Sequence, residues 1–129
     1  MRPLALSVCL IPLLVAGCGG SSGGDTMSAQ SGTTSTAPSP AAAGPAVRSA
    51  RVDLRSFKFR PAVIAVKKGG RITWTNSDSA AHTATADDRS FDTQTIDQGK
   101  SKTVSFTRAG SFAYHCDFHP FMKAMVVVK

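Results

Sequence analysis

The chain has 129 residues, of which 42% are hydrophobic, and 15 basic against 8 acidic residues give a formal net charge of +7. This length allows one domain with a modest core. The basic residues are dispersed, with Lys67 and Lys68 as the one adjacent pair, and no aromatic ladder or nucleic-acid motif accompanies them. We therefore expect no nucleic-acid binding, and the positive charge favours acidic protein partners or an anionic surface.

The first 17 residues are typical of a secretory signal peptide. Arg2 precedes an apolar run over residues 4–16, which is too short to cross a bilayer. Residues 15–18, Val-Ala-Gly-Cys, resemble the lipobox of bacterial lipoproteins. That resemblance implies cleavage before Cys18 and attachment of lipid to it. It also implies an extracytoplasmic protein, anchored to the cell membrane or outer membrane in the periplasm or at the cell surface.

A tether is predicted to follow. From residue 19 to residue 45 the chain consists mainly of Gly, Ser, Thr, Ala and Pro, and large apolar side chains are scarce. Such a segment cannot bury enough surface to offset the entropy of ordering, so residues 18–45 are predicted to be disordered. With about 30 residues, a flexible chain has a typical reach of about 30 Å, which would let the domain meet partners above its membrane.

Residues 46–129 predict an all-β domain, because short alternating apolar segments are separated by turn residues without a helical period. A change of alternation between Leu54 and Phe57 predicts a bulge or bend. Phe91 and Ile96 are expected to fill the core from an otherwise polar stretch. The predicted strands include residues 51–59, 62–66, 71–76, 101–107, 112–116 and 125–128, with a turn at 67–70. Seven or eight strands in this length predict a Greek-key β-sandwich or barrel.

A candidate metal site lies near the C-terminus. Cys116, His119 and Met122 are spaced three residues apart, so a tight loop can turn a thiol, an imidazole and a thioether toward one point. Copper accepts all three donor types. Cys116 is the one cysteine of residues 46–129, so a metal would occupy a thiol that has no disulfide partner in the domain. A second imidazole must come from His82 or His115.

The domain resembles the cupredoxins, and within them the plastocyanin and amicyanin group. The residues that carry the resemblance are Trp74-Thr75-Asn76, His82, residues 109–116 and residues 119–122. The two-residue gap between His119 and Met122 matches the short loop of amicyanin. The resemblance implies one mononuclear type 1 copper with three in-plane ligands and a weak axial thioether. Those ligands are His82, Cys116 and His119 in the plane and Met122 on the axis.

Two other donors compete for this site. Met125 is a second thioether, but its position fits the start of the closing strand. His115 precedes Cys116, and in copper nitrite reductases a histidine beside the cysteine binds a second copper. Strand alternation places His115 on the sheet face opposite Cys116, and the chain has no further histidines to complete a second site. We therefore expect His115 to be structural or at the surface.

Three further residues are expected to adjust the site without binding the metal. Asn76 belongs to the matching motif. Thr83 stands where many relatives carry Asn, and its hydroxyl can make one loop-to-loop hydrogen bond rather than two, which predicts a less rigid coupling. Phe118 stands where amicyanin-like loops often carry Pro. Its backbone N–H can donate to the Cys116 sulfur, and such a bond would favour Cu(I) and raise the reduction potential.

The resemblance implies a one-electron carrier rather than an enzyme. In the family, the C-terminal histidine ligand lies in an apolar surface patch through which electrons pass, here His119 with Pro120 and Phe121. Core packing is the competing interpretation of Phe121. We expect a monomer that exchanges electrons with a redox donor and acceptor, which the basic charge suggests are acidic. The alternative function is copper binding for storage, sensing or delivery.

Overall fold

The computed structural model describes residues 37–129. The predicted signal peptide, Cys18 and most of the predicted tether lie outside the described residues. The last part of the tether, residues 37–45, contains a short 3-10 helix at Pro40–Ala42 without a buried residue. Within residues 37–129, no helix has the length and apolar character required to cross a membrane.

Seven strands form the domain, and the predicted all-β class is confirmed. Between them lie only turns, bends and irregular segments. The strands in chain order are β1 (Val47–Leu54), β2 (Phe59–Arg60), β3 (Val63–Asn76), β4 (Thr85–Ala86), β5 (Ser101–Phe106), β6 (Gly110–His115) and β7 (Lys123–Val128).

The long strand β3 joins the two layers of the sandwich. Its first residues, from Val63 to Val66, pair in parallel with β7. Its second half pairs in parallel with β1 and antiparallel with β5. The first layer continues from β7 through β6 to β4, and the second continues from β1 to β2. The hairpins β1–β2 and β6–β7 are combined with crossover pairings of β3 with β1, β5 and β7, in agreement with the predicted Greek-key class.

The turn predicted at residues 67–70 is wrong, because β3 continues through this segment. Lys68 N–H donates to the Lys129 carbonyl at 2.7 Å, so the chain stays bonded to the end of β7. Gly69 has a φ of +80°, and a Cβ on Gly70 would lie only 2.7 Å from the Lys67 carbonyl oxygen. The two glycines thus let one strand kink from one layer into the other, where a turn would have reversed it.

The buried faces follow the predicted alternation. Ile72, Trp74 and Asn76 are buried from β3, and Phe112, Tyr114 and Cys116 are buried from β6 and its end. Trp74 Nε1–H donates to the Tyr114 hydroxyl oxygen at 3.2 Å across the two layers. Burial raises the pKa of Tyr114 far above its ordinary value, although the bond from Trp74 opposes the shift, so the phenol stays neutral.

The core-filling roles predicted for Phe91 and Ile96 are confirmed, because both are buried. The ring of Phe91 stacks on Trp74, with a centroid separation of 5.6 Å. Ile96 exchanges two backbone hydrogen bonds with His82. The polar stretch that contains these two residues therefore closes the core beside the second imidazole.

The bend predicted between Leu54 and Phe57 is a complete reversal of the chain. Arg55 and Lys58 exchange backbone hydrogen bonds, and Leu54 pairs with Phe59 in the hairpin of β1 and β2. Ser56 and Phe57 form the tip, with φ values of +54° and +55°. Phe57 thus leaves the strand face that alternation predicted for it and stands at the surface, next to the candidate site.

Candidate metal centre

His82 is held at the rim of the sandwich by a short bridge to Ile96. His82 N–H donates to the Ile96 carbonyl at 3.2 Å, and Ile96 N–H donates back at 2.8 Å. The buried side chain of Asn76 donates to the carbonyls of Ala80 and Ile96, each at 2.8 Å. These bonds fold the loop between β3 and His82 against the Ile96 segment and bury the imidazole completely.

The loop over residues 116–122 closes on itself through backbone hydrogen bonds. His119 N–H donates to the Cys116 carbonyl at 3.1 Å, and Met122 N–H donates to the His119 carbonyl at 2.8 Å. Cys116 N–H donates to the Met122 carbonyl at 3.2 Å. Two consecutive three-residue turns therefore produce the spacing seen in the sequence, and they bury both Cys116 and Met122.

The structure brings His82, Cys116 and His119 together, with one potential ligand atom of each lying within 4.8 Å of the others. The Cys116 Sγ lies 3.7 Å from Nδ1 of His82 and 3.6 Å from Nδ1 of His119. Metal bonds of about 2.3 Å to sulfur and about 2.0 Å to nitrogen, meeting at roughly 120°, would separate S and N by about 3.7 Å. The spacing therefore fits a trigonal site around one ion.

The donor set fits copper of the type 1 class. Two imidazoles and one thiolate in a trigonal arrangement, with a thioether as a weak further donor, are characteristic of blue-copper centres. Met122 is buried in the ligand loop. Met125 lies within β7, where it pairs with Ala113, as the sequence predicts for the competing thioether.

Thr83 connects the two ligand-bearing loops. Its N–H donates to the Cys116 sulfur at 3.3 Å, and its hydroxyl oxygen accepts the Asp117 N–H at 2.8 Å. The loop-to-loop hydrogen bond expected of this hydroxyl is therefore present. The prediction that the Phe118 N–H donates to the Cys116 sulfur is wrong: the donor is the Thr83 N–H, and among residues 37–129 no hydrogen bond joins Phe118 to the sulfur.

The side chain of Phe118 lies at the surface, 54% exposed. The Thr83 donor comes from the loop after His82, 33 residues from Cys116 in sequence, so no pattern within residues 116–122 could have indicated it.

His115 is held away from the cluster by two carboxylates. Its Nδ1 lies 2.6 Å from Asp87 Oδ1, and its Nε2 lies 3.3 Å from Asp117 Oδ1. The side chain is partly exposed, whereas Cys116 beside it is buried. The two residues thus point to opposite sides of β6, and His115 has both ring nitrogens engaged outside the candidate centre.

Sequence reasoning missed Asp78 and Phe57. Asp78 Oδ2 lies 3.0 Å from Nε2 of His82, and the Phe57 ring lies 5.0 Å from the ring of His119. Burial alone would raise the pKa of Asp78, but backbone hydrogen bonds from Phe57 and Ser56 and the contact with His82 lower it. An acid four residues before the ligand is the one signal in the sequence that points to this contact.

The model of the cupredoxin-like domain family matches residues 28–128. This chain belongs to the cupredoxin-like family. Amicyanin from Paracoccus denitrificans is 29% identical over 83 residues, which cover 60% of this chain and 63% of the amicyanin. Chloroplastic plastocyanin from Tetradesmus obliquus is 31% identical over 78 residues, which cover 52% of this chain and 54% of the plastocyanin. This cupredoxin-like chain therefore spans less than two thirds of the length of either relative.

A solved structure of the Cu(I) form of an amicyanin mutant is similar to this cupredoxin-like chain, with a TM-score of 0.58 and 31% identity. The match covers 72% of this chain and 92% of that one. The resemblance predicted from residues 74–76, His82 and the C-terminal loop is confirmed at the level of the family.

We predict that Thr83→Val lowers the free energy of unfolding of the metal-free protein by about 1–3 kcal/mol. The variant leaves the partly buried Asp117 N–H without its acceptor. Urea unfolding of the full chain would measure this change. Thr73→Val is the matched control, since its hydroxyl pairs with Thr103 on an exposed sheet face and its removal should cost no more than about 0.5 kcal/mol. Equal costs for the two variants would contradict the predicted role of Thr83.

Proposed function

We propose that the protein carries single electrons through one mononuclear type 1 copper ion. The observation that supports this most directly is the placement of two imidazole Nδ1 atoms 3.7 and 3.6 Å from one buried thiol sulfur. Met122 would complete the site as the axial thioether. Family membership and the Cu(I) form of a similar amicyanin support the same metal.

The bound copper would supply the redox step, by alternating between Cu(I) and Cu(II). The protein's contribution is to keep the donor atoms in one arrangement throughout. The bridge between His82 and Ile96, the closed loop over residues 116–122 and the bonds from Thr83 each restrain a ligand. Because the backbone restrains the ligands of both loops, the donor atoms need to move little when the copper gains or loses an electron. A small rearrangement favours fast electron transfer.

The surface around His119 is suited to a redox partner. His82, Cys116 and Met122 are buried, whereas His119 is partly exposed. Beside it stand two exposed rings, Phe57 and Phe121, which we call the aromatic patch; their centroids lie 5.0 and 5.9 Å from that of the His119 ring, and Phe121 is 69% exposed. Surface exposure of Phe121 and Pro120 favours the patch predicted from the sequence over core packing. We propose that electrons enter and leave through the ring edge of His119, beneath a partner docked on this patch.

Burial of the site favours an electron carrier over a copper-delivery protein. A delivery protein must release its metal, and exchange between proteins is easiest where several ligands are accessible. Here three of the four proposed ligands are buried. An enzymatic role would require a second copper or an open coordination position, and His115, the remaining histidine of the chain, is engaged by Asp87 and Asp117.

We further propose that the carrier works outside the cytoplasm, attached to a bacterial membrane through lipid on Cys18. The support is the sequence of residues 1–45, with its short apolar leader, small residues before the cysteine and polar tether. The formal charge of +7 favours acidic donor and acceptor proteins.

Copper loading tests the proposed metal. The full chain should bind one Cu(II) and develop an intense visible thiolate-to-copper band, and Cys116→Ser should abolish that band because it removes the thiolate. Titration followed by absorption spectroscopy measures both. His115→Ala is the matched control and should keep the band. A colourless wild-type complex would falsify the type 1 assignment.

The axial ligand is tested by a pair of methionine variants. Met122→Leu should raise the reduction potential, because loss of a weak electron donor disfavours Cu(II). Met125→Leu, a change of the same size in β7, should leave the potential near that of the wild type. Voltammetry of the copper-loaded proteins compares them, and a rise in the Met125 variant alone would assign the axial position to Met125.

The anchor is tested by expression of the full gene in a bacterial host. Wild-type protein should sediment with the membrane fraction and carry label from a radioactive fatty acid. Cys18→Ser should be unlabelled and lose membrane attachment, whereas Cys9→Ser serves as the control and should behave as the wild type. Labelling that persists in the Cys18 variant would refute lipid attachment at this residue.

A further inference from the structure

We propose that Asp78 is a positioning residue that couples the buried ligand His82 to the aromatic patch. One carboxylate fixes the orientation of the His82 ring and also holds the hairpin tip that places Phe57 over both imidazoles. This inference rests on the proposed copper function, and it adds a residue that lies outside the ligand set.

Both oxygens of the Asp78 carboxylate are engaged. Oδ1 accepts the Ser56 N–H at 2.7 Å, and Oδ2 accepts the Phe57 N–H at 2.9 Å. Oδ2 also lies 3.0 Å from Nε2 of His82. The side chain is 14% exposed; its contact with His82 is partly buried, whereas those with Ser56 and Phe57 lie at the surface. Hydrogen bonds to an ionised carboxylate are stronger than those between neutral groups.

The contact with His82 determines which ring nitrogen carries the proton. An ionised carboxylate only accepts hydrogen bonds, so Nε2 must donate to Asp78. The lone pair of a neutral imidazole then lies on Nδ1, the atom that faces the Cys116 sulfur at 3.7 Å. A carboxylate behind a ligand imidazole orients the ring and makes it a better electron donor. The expected consequence is relative stabilisation of Cu(II) and a lower reduction potential.

The contacts with Ser56 and Phe57 stabilise an unfavourable backbone conformation. Both residues have positive φ values, +54° and +55°, and a bulky aromatic residue rarely adopts this region. The carboxylate accepts the two N–H groups that this conformation directs toward it. Without that acceptor, the hairpin tip loses its main tie to the loop before His82.

The hairpin tip, held by Asp78, places the Phe57 ring against both imidazoles of the proposed centre. Its centroid lies 5.4 Å from the His82 ring and 5.0 Å from the His119 ring, with interplanar angles of 87° and 78°. The ring is 41% exposed, so one side faces solvent while the other covers the two imidazoles. Asp78 therefore acts on the buried ligand directly and on the exposed ligand through Phe57.

Asp78→Asn tests the proposal, because it removes the charge and keeps the size of the side chain. In the copper-loaded full chain we expect the visible band to persist and the reduction potential to shift upward. In the metal-free full chain we expect the amide protons of Ser56 and Phe57 to exchange about tenfold faster with solvent. Voltammetry and hydrogen-exchange NMR measure the two effects, and the second does not depend on copper.

Asp53→Asn is the matched control. Asp53 accepts a hydrogen bond from the Ser77 hydroxyl on the same side of the domain, so this variant removes a neighbouring charge without touching a proposed ligand. It should change neither the potential nor the two amide exchange rates appreciably. An equal rise in potential in both variants would overturn the proposal, since the effect would then be one of general charge.

If Asp78→Asn alone folds poorly, the same substitution is made in a Phe57→Gly variant, and the potentials of the single and double variants are compared. Glycine adopts a positive φ without penalty, so the Phe57→Gly variant relieves the strained hairpin tip, and the potential shift caused by Asp78→Asn should remain in it.

Failure of the proposed copper function would appear as a wild type without a visible band. A wild type with the band, combined with an unchanged potential and unchanged amide exchange in Asp78→Asn, would overturn the role of Asp78 alone.

Discussion

The candidate centre depends on the hydrogen bonds by which Thr83 joins two loops that are distant in sequence. One loop carries His82 and the other carries Cys116 and His119, and neither can assemble the donor set alone. The Thr83 N–H reaches the Cys116 sulfur, and its hydroxyl accepts the Asp117 N–H. These two bonds fix the separation of the loops, and that separation sets the distances between sulfur and the two imidazole nitrogens.

The β-sandwich supplies the rigid strands from which these two loops extend. β3 belongs to both layers because its first residues pair with β7 and its second half pairs with β1 and β5. Trp74 and Tyr114 join the layers within the core, and Phe91 stacks on the tryptophan. Asn76 ends β3, and its side chain bonds the Ala80 and Ile96 carbonyls, so the end of this strand is tied to the segments on both sides of His82.

The chain combines this rigid interior with an exposed aromatic surface at the same end. Phe57 and Phe121 remain accessible although each is large and apolar, and their ring centroids lie 6.4 Å apart. Contiguous apolar surface of this kind commonly marks a binding site. Together with the formal net charge of +7, an aromatic surface beside a partly exposed imidazole supports the proposal that acidic redox proteins dock here.

The sequence by itself determined the donor set, the strand alternation and the all-β class. These are local properties: three-residue spacing defines the C-terminal loop, and a period of two defines which side chains of β3 and β6 are buried. The same local rule separated His115 from Cys116. For this reason the proposed ligands and the core could be selected without coordinates, and the family resemblance could be stated from a few short motifs.

Only the tertiary structure decided which groups meet across the loops. The Ser56 and Phe57 amides lie 22 and 21 residues from Asp78 in sequence, and their contact exists because the hairpin of β1 and β2 returns to the His82 loop. The Thr83 N–H that donates to the Cys116 sulfur is likewise 33 residues away in sequence, and this contact exists only because the two loops meet. The kink of β3 at its two glycines also required coordinates, because a turn and a strand that changes layers have the same local composition.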